Sequence, residues 1–363
     1  MKKLLVLSLS VAMLATACSS PKTTAKVEET TVAATEATQS KKENTVVRWN
    51  YGSSGNVFVN IAEEKGYFDE EGITIQPVAA TAVLNALGLL SANQVDVVSN
   101  AGTSNPLQQI AAGNDFTIFG GHMVNGAMPV IAKKGTEWKG VESLVGQKVA
   151  INPSYFAFPG SLMEKGYDDP LHQVEWVTFG TYDDALAAVQ RGEVKYALMG
   201  TEKNYPISQM EDIEIVSWHS EVMPNYSCCR MECQTSYLKE NPEVIKSILR
   251  ALLRAQCYYE SHKDEAIELT AKKINATPEF VAAYMNNSHY FVSVDPLRNQ
   301  VKRAWGILDK TNFLDENAKN INIDDHINTT LYEEALKEAK EKYGAGNEAF
   351  YEKMEKFFDE NDR

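Results

Sequence analysis

The chain has 363 residues, 44% of them hydrophobic and 23% charged, and a formal net charge of −14. That composition excludes collagen-like, coiled-coil and wholly disordered chains, and the acidic balance argues against nucleic acid as a partner, because phosphate binding needs clustered Lys and Arg. The length predicts roughly two domains, and the five cysteines are too few and too bunched for a disulfide scaffold.

Lys2-Lys3, an apolar run from Leu4 to Leu14 and then Ala15-Thr16-Ala17-Cys18 follow the basic, apolar, small-residue order of an export leader. The run is too short to span a bilayer core of about 30 Å. Small residues leading directly into one cysteine resemble a bacterial lipoprotein cleavage box, with Leu14 one position further from the cysteine than the usual pattern has it. The resemblance implies that residues 1–17 are a removed signal peptide and that Cys18 carries the lipid. Residues 18–44 are rich in Ser, Thr, Ala, Lys and Glu and contain no aromatic residue. Such a segment buries too little to offset its ordering entropy and reads as a tether between membrane and body.

From Thr45 onward the body repeats one plan. Val46–Asn50 reads as a strand, residues 51–55 as a loop, and Phe58, Ile61 and Ala62 as one face of a helix that Gly66 ends. About a hundred residues later, a spacing that marks internal duplication, Lys148–Asn152 reads as a strand, Pro153–Gly160 as a loop, and Ser161 as the start of a short helix. Glu64-Lys65-Gly66-Tyr67 is echoed by Glu164-Lys165-Gly166-Tyr167. Ala86-Leu87 through Val98 is echoed in phase by Ala185-Leu186 through Ala197. Strands alternating with helices predict an α/β fold of two lobes, each a mostly parallel sheet flanked by helices, with a ligand cleft at the carboxyl ends of the strands.

Phe116–Ala132, broken by Gly120-Gly121 and Gly126, is expected to carry the chain from one lobe to the other, and Cys229–Tyr237 to bring it back. The expected organisation is therefore lobe 1 over residues 45–125, lobe 2 over 126–230, a return to lobe 1 with further helices over 231–343, and a charged helix over 344–363. Asn241 and Pro242 open a helix with an apolar stripe of Ile245, Ile248, Leu249, Leu252 and Leu253, and Thr277-Pro278 opens another. Near the end, Phe350, Met354 and Phe357 can form one helix face.

The segment Glu64-Lys65-Gly66-Tyr67-Phe68-Asp69-Glu70-Glu71-Gly72-Ile73 resembles the opening of nitrate/sulfonate/taurine-type periplasmic binding proteins, a group that includes binders of thiamine-pyrimidine precursors. Gln94-Val95-Asp96-Val97 before Asn100-Ala101-Gly102, Leu144–Ala150, and Glu240-Asn241-Pro242-Glu243-Val244 resemble the same family in the same order. The resemblance spans most of residues 45–310. It implies a two-lobed binding protein without catalytic machinery, a monomer that closes on a small molecule and delivers it to the permease of an ABC importer. Lys195 departs from the pattern, which usually has Asp there.

The loops expected at the cleft supply Tyr51, Ser53, Ser54, Asn100, Thr103, Ser104 and His122 from the first lobe. The second lobe supplies Ser154, Tyr155, Phe156, Ser161, Thr201, Glu202, Trp218, Tyr226 and the nearby cysteines. Hydroxyls, amides and rings suit a flat organic molecule held between aromatic faces. A pyrimidine-like heterocycle or an organic sulfonate fits better than nitrate, which needs less aromatic surface; each ring taken alone reads equally well as core.

On a strand, Cys229, Met231 and Cys233 would share one face and Cys228 the other, so no three thiols converge and no metal is expected. Buried thiols or a disulfide remain open, and Cys257 reads as core. No Gly-x-Ser-x-Gly elbow, phosphate loop or His-Glu-x-x-His stands out, and Asp183-Asp184 after Thr181 read as helix capping. No cofactor is expected. Two other readings stay open, a precursor-synthesising enzyme of the same fold and a surface solute sensor.

Overall fold

The computed structural model describes residues 44–51, 56–80 and 82–363. The leader, Cys18, the tether and the Gly52–Gly55 loop with Ser53 and Ser54 lie outside these residues.

Among the described residues eleven strands form two sheets. β1 (Thr45–Asn50), β2 (Ile73–Pro77), β3 (Val97–Ser99), β4 (Phe116–Gly126), β10 (Cys229–Gln234) and β11 (Tyr290–Val292) make the first, in the order β11-β4-β10-β3-β1-β2. β5 (Pro129–Lys133), β6 (Lys148–Ala150), β7 (Glu175–Trp176), β8 (Tyr196–Leu198) and β9 (Ile213–Trp218) make the second, in the order β7-β6-β8-β5-β9. The runs β2-β1-β3 and β7-β6-β8 are the same parallel unit. The duplication read from the two echoes is thus a duplication of topology, down to helices Val57–Glu64 and Ala157–Glu164 at matching positions.

The expected fold class holds, but parallel pairing is confined to those units. β10 runs antiparallel to β3 and β4, β11 to β4, and β5 to β8 and β9. The reason is the crossing itself: β4 passes almost directly into β5, and β10 returns without a helical crossover, so these strands cannot adopt the direction a βαβ unit imposes.

Helix Val57–Glu64 starts where Asn56 accepts from the backbone N–H groups of Phe58 and Val59, and it ends before Gly66, whose φ of 71° suits glycine. The Gly66–Gly72 turn is pinned by Glu71, which takes Arg250 at 2.6 Å and the Tyr343 hydroxyl at 2.5 Å. Burial pushes the Glu71 carboxyl up, yet the bonds from Arg250, Tyr343 and Lys342 hold it below the ordinary carboxylate range. The long helix Pro242–Ser261 buries its whole expected stripe in the core of the first sheet.

Helices Thr330–Tyr343 and Glu348–Asn361 cover that same core with Tyr332, Leu336, Phe350, Tyr351, Met354 and Phe358. Phe358 is the buried residue where the sequence suggested Phe357. Phe357 instead packs at the rim, 5.6 Å from Phe291, because the inward face is centred on Tyr351, Met354 and Phe358.

Helix Ala157–Glu164 begins four residues earlier than expected. Pro159 falls in its first turn, where no backbone N–H is needed, so the proline does not extend the loop. Phe156 and Phe158 are consequently core residues, almost fully buried.

β10 carries two buried ionisable side chains, Arg230 and Glu232. The Arg230 guanidinium donates to the Asp295 backbone oxygen at 2.5 Å and to that of Met123 at 2.9 Å, stitching β10 to β4 and to the segment after β11. Gly121 makes room for it, since a Cβ there would meet the guanidinium and come within 2.6 Å of the Asp295 oxygen. Glu232 is fully buried and neither of its oxygens has a protein partner. Burial pushes its carboxyl well above the ordinary value of 4.5, so the folded protein keeps the proton there. A raised folded pKa contributes stability in full below about pH 4.5, and that contribution is lost as pH rises through the raised value. Glu232→Met, which keeps the volume and removes both unpartnered oxygens, is expected to stabilise the protein by about 1–3 kcal/mol near neutral pH and to flatten the fall in melting temperature between pH 5.5 and pH 8. An unchanged or lower melting temperature at pH 8 would contradict this account.

Candidate functional site

The carboxyl ends of strands from both sheets open onto one cavity of about 710 Å³. Asn100–Asn105 reach it from the turn after β3, His122 and Met123 from β4, Tyr155 and Tyr182 from the loops after β6 and β7, Gly200–Glu202 from the turn after β8, and Tyr226, Cys228 and Cys229 from the approach to β10. Helix Pro278–Met285 and β11 add Phe280, Tyr284 and Tyr290.

His122 is the central polar group. Its Nδ1 lies 2.6 Å from the Asn100 amide oxygen, an acceptor, so Nδ1 carries the proton and Nε2 is left as an acceptor. That Nε2 is buried without a protein partner. Burial, reinforced by the charge on Arg230, holds the imidazole down to about 3, and it is neutral at physiological pH. Asn100 is itself fixed by a 2.9 Å bond from its amide nitrogen to the Tyr51 carbonyl and sits at a φ of 62°, which asparagine tolerates. His219 is a second neutral imidazole on the wall, held at about 3 by burial alone, with both ring nitrogens unpartnered and the Tyr226 ring edge-on at 4.0 Å.

The other walls are aromatic. Tyr155 and Tyr182 are neighbours on this wall, close enough for each to shift the other's hydroxyl, and burial raises both. Tyr226 and Tyr290 are raised well above the usual phenol range, again by burial. All four hydroxyls are therefore neutral and able to donate or accept. Among the described lining residues Glu202 is the sole acidic side chain, and no Lys or Arg is present. The amino end of helix Ser104–Ala111 opens on the cavity, a partial positive charge of about half a unit.

Of the residues singled out from sequence, Asn100, Thr103, Ser104, His122, Tyr155, Thr201, Glu202 and Tyr226 line this cavity. Tyr51 does not: its ring packs on the first core while its carbonyl orients Asn100. Ser154 turns inward, its N–H and hydroxyl both bonded to the Asn152 side chain. Phe156 stacks on Tyr226 at 4.5 Å from behind, Ser161 is inside its helix, and Trp218 stacks on His289 at 4.8 Å away from the cavity. The earlier start of helix Ala157–Glu164 is what places Phe156 and Ser161 in the core, while Tyr51 and Trp218 are held by their own packing partners.

Tyr182, His219, Phe280, Tyr284 and Tyr290 were missed. Tyr182 is the first residue after the Thr181 cap, the position where a helix meets a ligand site, and that was the one available signal. The others arrive by long-range packing. The strand alternation expected around Cys228 also fails: Ser227 has a φ of 61° and the register slips between Cys229 and Arg230, which turns both Cys228 and Cys229 to the cavity. Cys233 remains buried, and Cys257 is half-buried at the edge of the first core. Among the described residues no three His, Cys, Asp or Glu side chains converge as a metal requires.

Two sheets sharing a repeated unit, joined by crossing strands and facing a common cavity, make the periplasmic binding protein fold. The chain belongs to the NMT1/THI5 like family, whose model matches residues 56–266. Similar solved structures include the periplasmic aliphatic sulphonate binding protein SsuA from Escherichia coli, 18% identical with a TM-score of 0.65, covering 79% of this chain and 98% of that one. The periplasmic nitrate-binding protein NrtA from Synechocystis PCC 6803 is 14% identical with a TM-score of 0.62, covering 81% and 89%. The desulfurization enzyme DSZB is 13% identical with a TM-score of 0.58, covering 81% and 99%. A comparison with curated proteins finds no match.

Proposed function

We propose that the protein is the extracytoplasmic, lipid-anchored solute-binding component of an ABC importer, and that it captures an uncharged, flat nitrogen heterocycle of pyrimidine type. The observation that carries the ligand class is the lining: tyrosine hydroxyls and two neutral imidazoles, with no cationic side chain among the described residues. A ring fits between the aromatic walls, its polar edge donating to His122 Nε2 and satisfying a buried acceptor that the protein leaves unpaired. An organic sulfonate is the second reading, favoured by what the Escherichia coli neighbour binds and by the amino end of helix Ser104–Ala111, and opposed by a described lining without a cationic side chain to neutralise its charge.

The two crossing segments serve as the hinge, and closure is driven by contacts that both sheets make with the solute only when shut. Cys18 as lipid carrier places the protein at the membrane beside its permease. The enzyme reading finds little support in the described residues, where burial holds both imidazoles at about 3, too low for an effective base near neutral pH.

Native mass spectrometry of freshly purified protein, followed by thermal shifts with pyrimidines, flavins, sulfonates and nitrate, tests the ligand class. A pyrimidine at a hundredfold excess over its Kd is expected to add about 2.7 kcal/mol of stability and to be recovered unchanged. A shift with sulfonates alone would replace the heterocycle reading, and conversion of the bound compound would replace the carrier reading.

A further inference from the structure

Cys228 and Cys229 are neighbours in sequence, both line the cavity, and their sulfur atoms lie 3.8 Å apart in an S–H···S hydrogen bond. We propose that this pair is an oxidisable site in the cleft wall, converted by a disulfide oxidant into a disulfide between adjacent residues and restored by a thiol reductant. The proposal does not rest on the identity of the solute.

The geometry favours pairing within the dyad over any other bond. Cys233 is fully buried with its sulfur 4.0 Å from the Thr117 carbonyl, and neither it nor Cys257 reaches the cavity. Access to an oxidant exists at Cys228 and Cys229 because the cavity wall is where they stand. The two thiols are also unequal. The contact between the two sulfurs, with help from the Gly102 backbone N–H, holds Cys229 below the ordinary thiol range, while the same contact pushes Cys228 well above it. Cys229 is therefore the attacking group and Cys228 the resolving one.

In the first step the Cys229 thiolate attacks one sulfur of the oxidant, forming a mixed disulfide and expelling a thiolate. Cys228 then loses its proton and attacks the Cys229 sulfur, expelling the second half of the oxidant. Two S–H groups become one S–S bond, and the oxidant's disulfide becomes two thiols. Adjacent Cα atoms are about 3.8 Å apart, closer than the 4.4–6.8 Å that disulfides ordinarily span, so the eight-membered ring is strained and easily reopened. The backbone already departs from a regular strand here, at Ser227 and at the slip before Arg230. Oxidation removes two S–H donors and leaves a rigid apolar ridge beside Tyr155 and Tyr226, whose hydroxyls feel both thiols. The wall facing the solute would thus differ between the two redox states.

The test exposes the purified full-length protein to glutathione disulfide and follows intact mass and alkylation mapping. Wild type and Cys233→Ala are expected to lose two hydrogens and to become resistant to alkylation at Cys228 and Cys229, with full recovery in dithiothreitol. Cys228→Ser, lacking the resolving thiol, is expected to retain a glutathione adduct on Cys229. A stable glutathione adduct at Cys228 or Cys229 of wild type, a disulfide joining either of them to another cysteine, or an unchanged mass of the Cys228–Cys229 peptide after exposure that fully oxidises dithiothreitol would each overturn the proposal.

Discussion

Arg230→Ala is expected to destabilise the protein by about 3–5 kcal/mol, the scale of removing one member of a buried charged network. Three losses combine. The Asp295 and Met123 carbonyls lose their donors, a cavity opens between β4 and β10, and the acids nearby lose the only positive charge buried with them. Burial raises the carboxyls of both Asp295 and Asp362, and their mutual proximity raises Asp295 further, while the charge on Arg230 draws both back down. Asp362 closes the last helix and is tied to the body by the Arg298 backbone N–H, which donates to its carboxylate at 2.8 Å. Arg230→Met restores most of the volume but none of the donors, and is expected to recover only part of the loss. Urea unfolding of both variants separates these terms. A loss below about 1 kcal/mol for the alanine variant would mean that water replaces the guanidinium.

Tyr155→Ala is expected to weaken solute binding by about 10- to 100-fold, the usual cost of deleting an aromatic anchor from a desolvated site. The ring stands on the cavity wall beside Tyr182, so its removal takes away an aromatic surface that the solute packs against. Its neighbours Phe156 and Phe158 fill the core behind it, and for that reason the unliganded melting temperature is expected to stay nearly unchanged. Titration calorimetry with the solute identified by thermal shift, set beside melts of the free protein, checks both halves. Equal losses in affinity and in unliganded stability would make Tyr155 a packing residue.

The separation between Tyr155 and Phe156 also shows where sequence reading succeeds. Elements whose signals are local were legible: the Gly66 stop, the Thr181 cap, and the apolar stripe of helix Pro242–Ser261 each depend on residues within a few positions of one another. The β2-β1-β3 plan and its copy were legible because duplication leaves echoes at a fixed offset. One buried phenylalanine and one cavity tyrosine, adjacent in the chain, carry no such mark.

What the sequence determined by itself was therefore the class of fold, the position of the turns at the strands' carboxyl ends, the polar residues Asn100, Thr103 and Ser104 that those turns present, and His122 on the crossing strand β4. Burial, charge state and direction were left to the tertiary structure. Neutral His122 and His219, the proton on Glu232, and the turning of Cys228 and Cys229 toward the same space all follow from desolvation and from register slips set by partners over a hundred residues away. A pattern of residue types encodes which face of an element is apolar. Which atoms lose their water depends on what the rest of the chain packs against them.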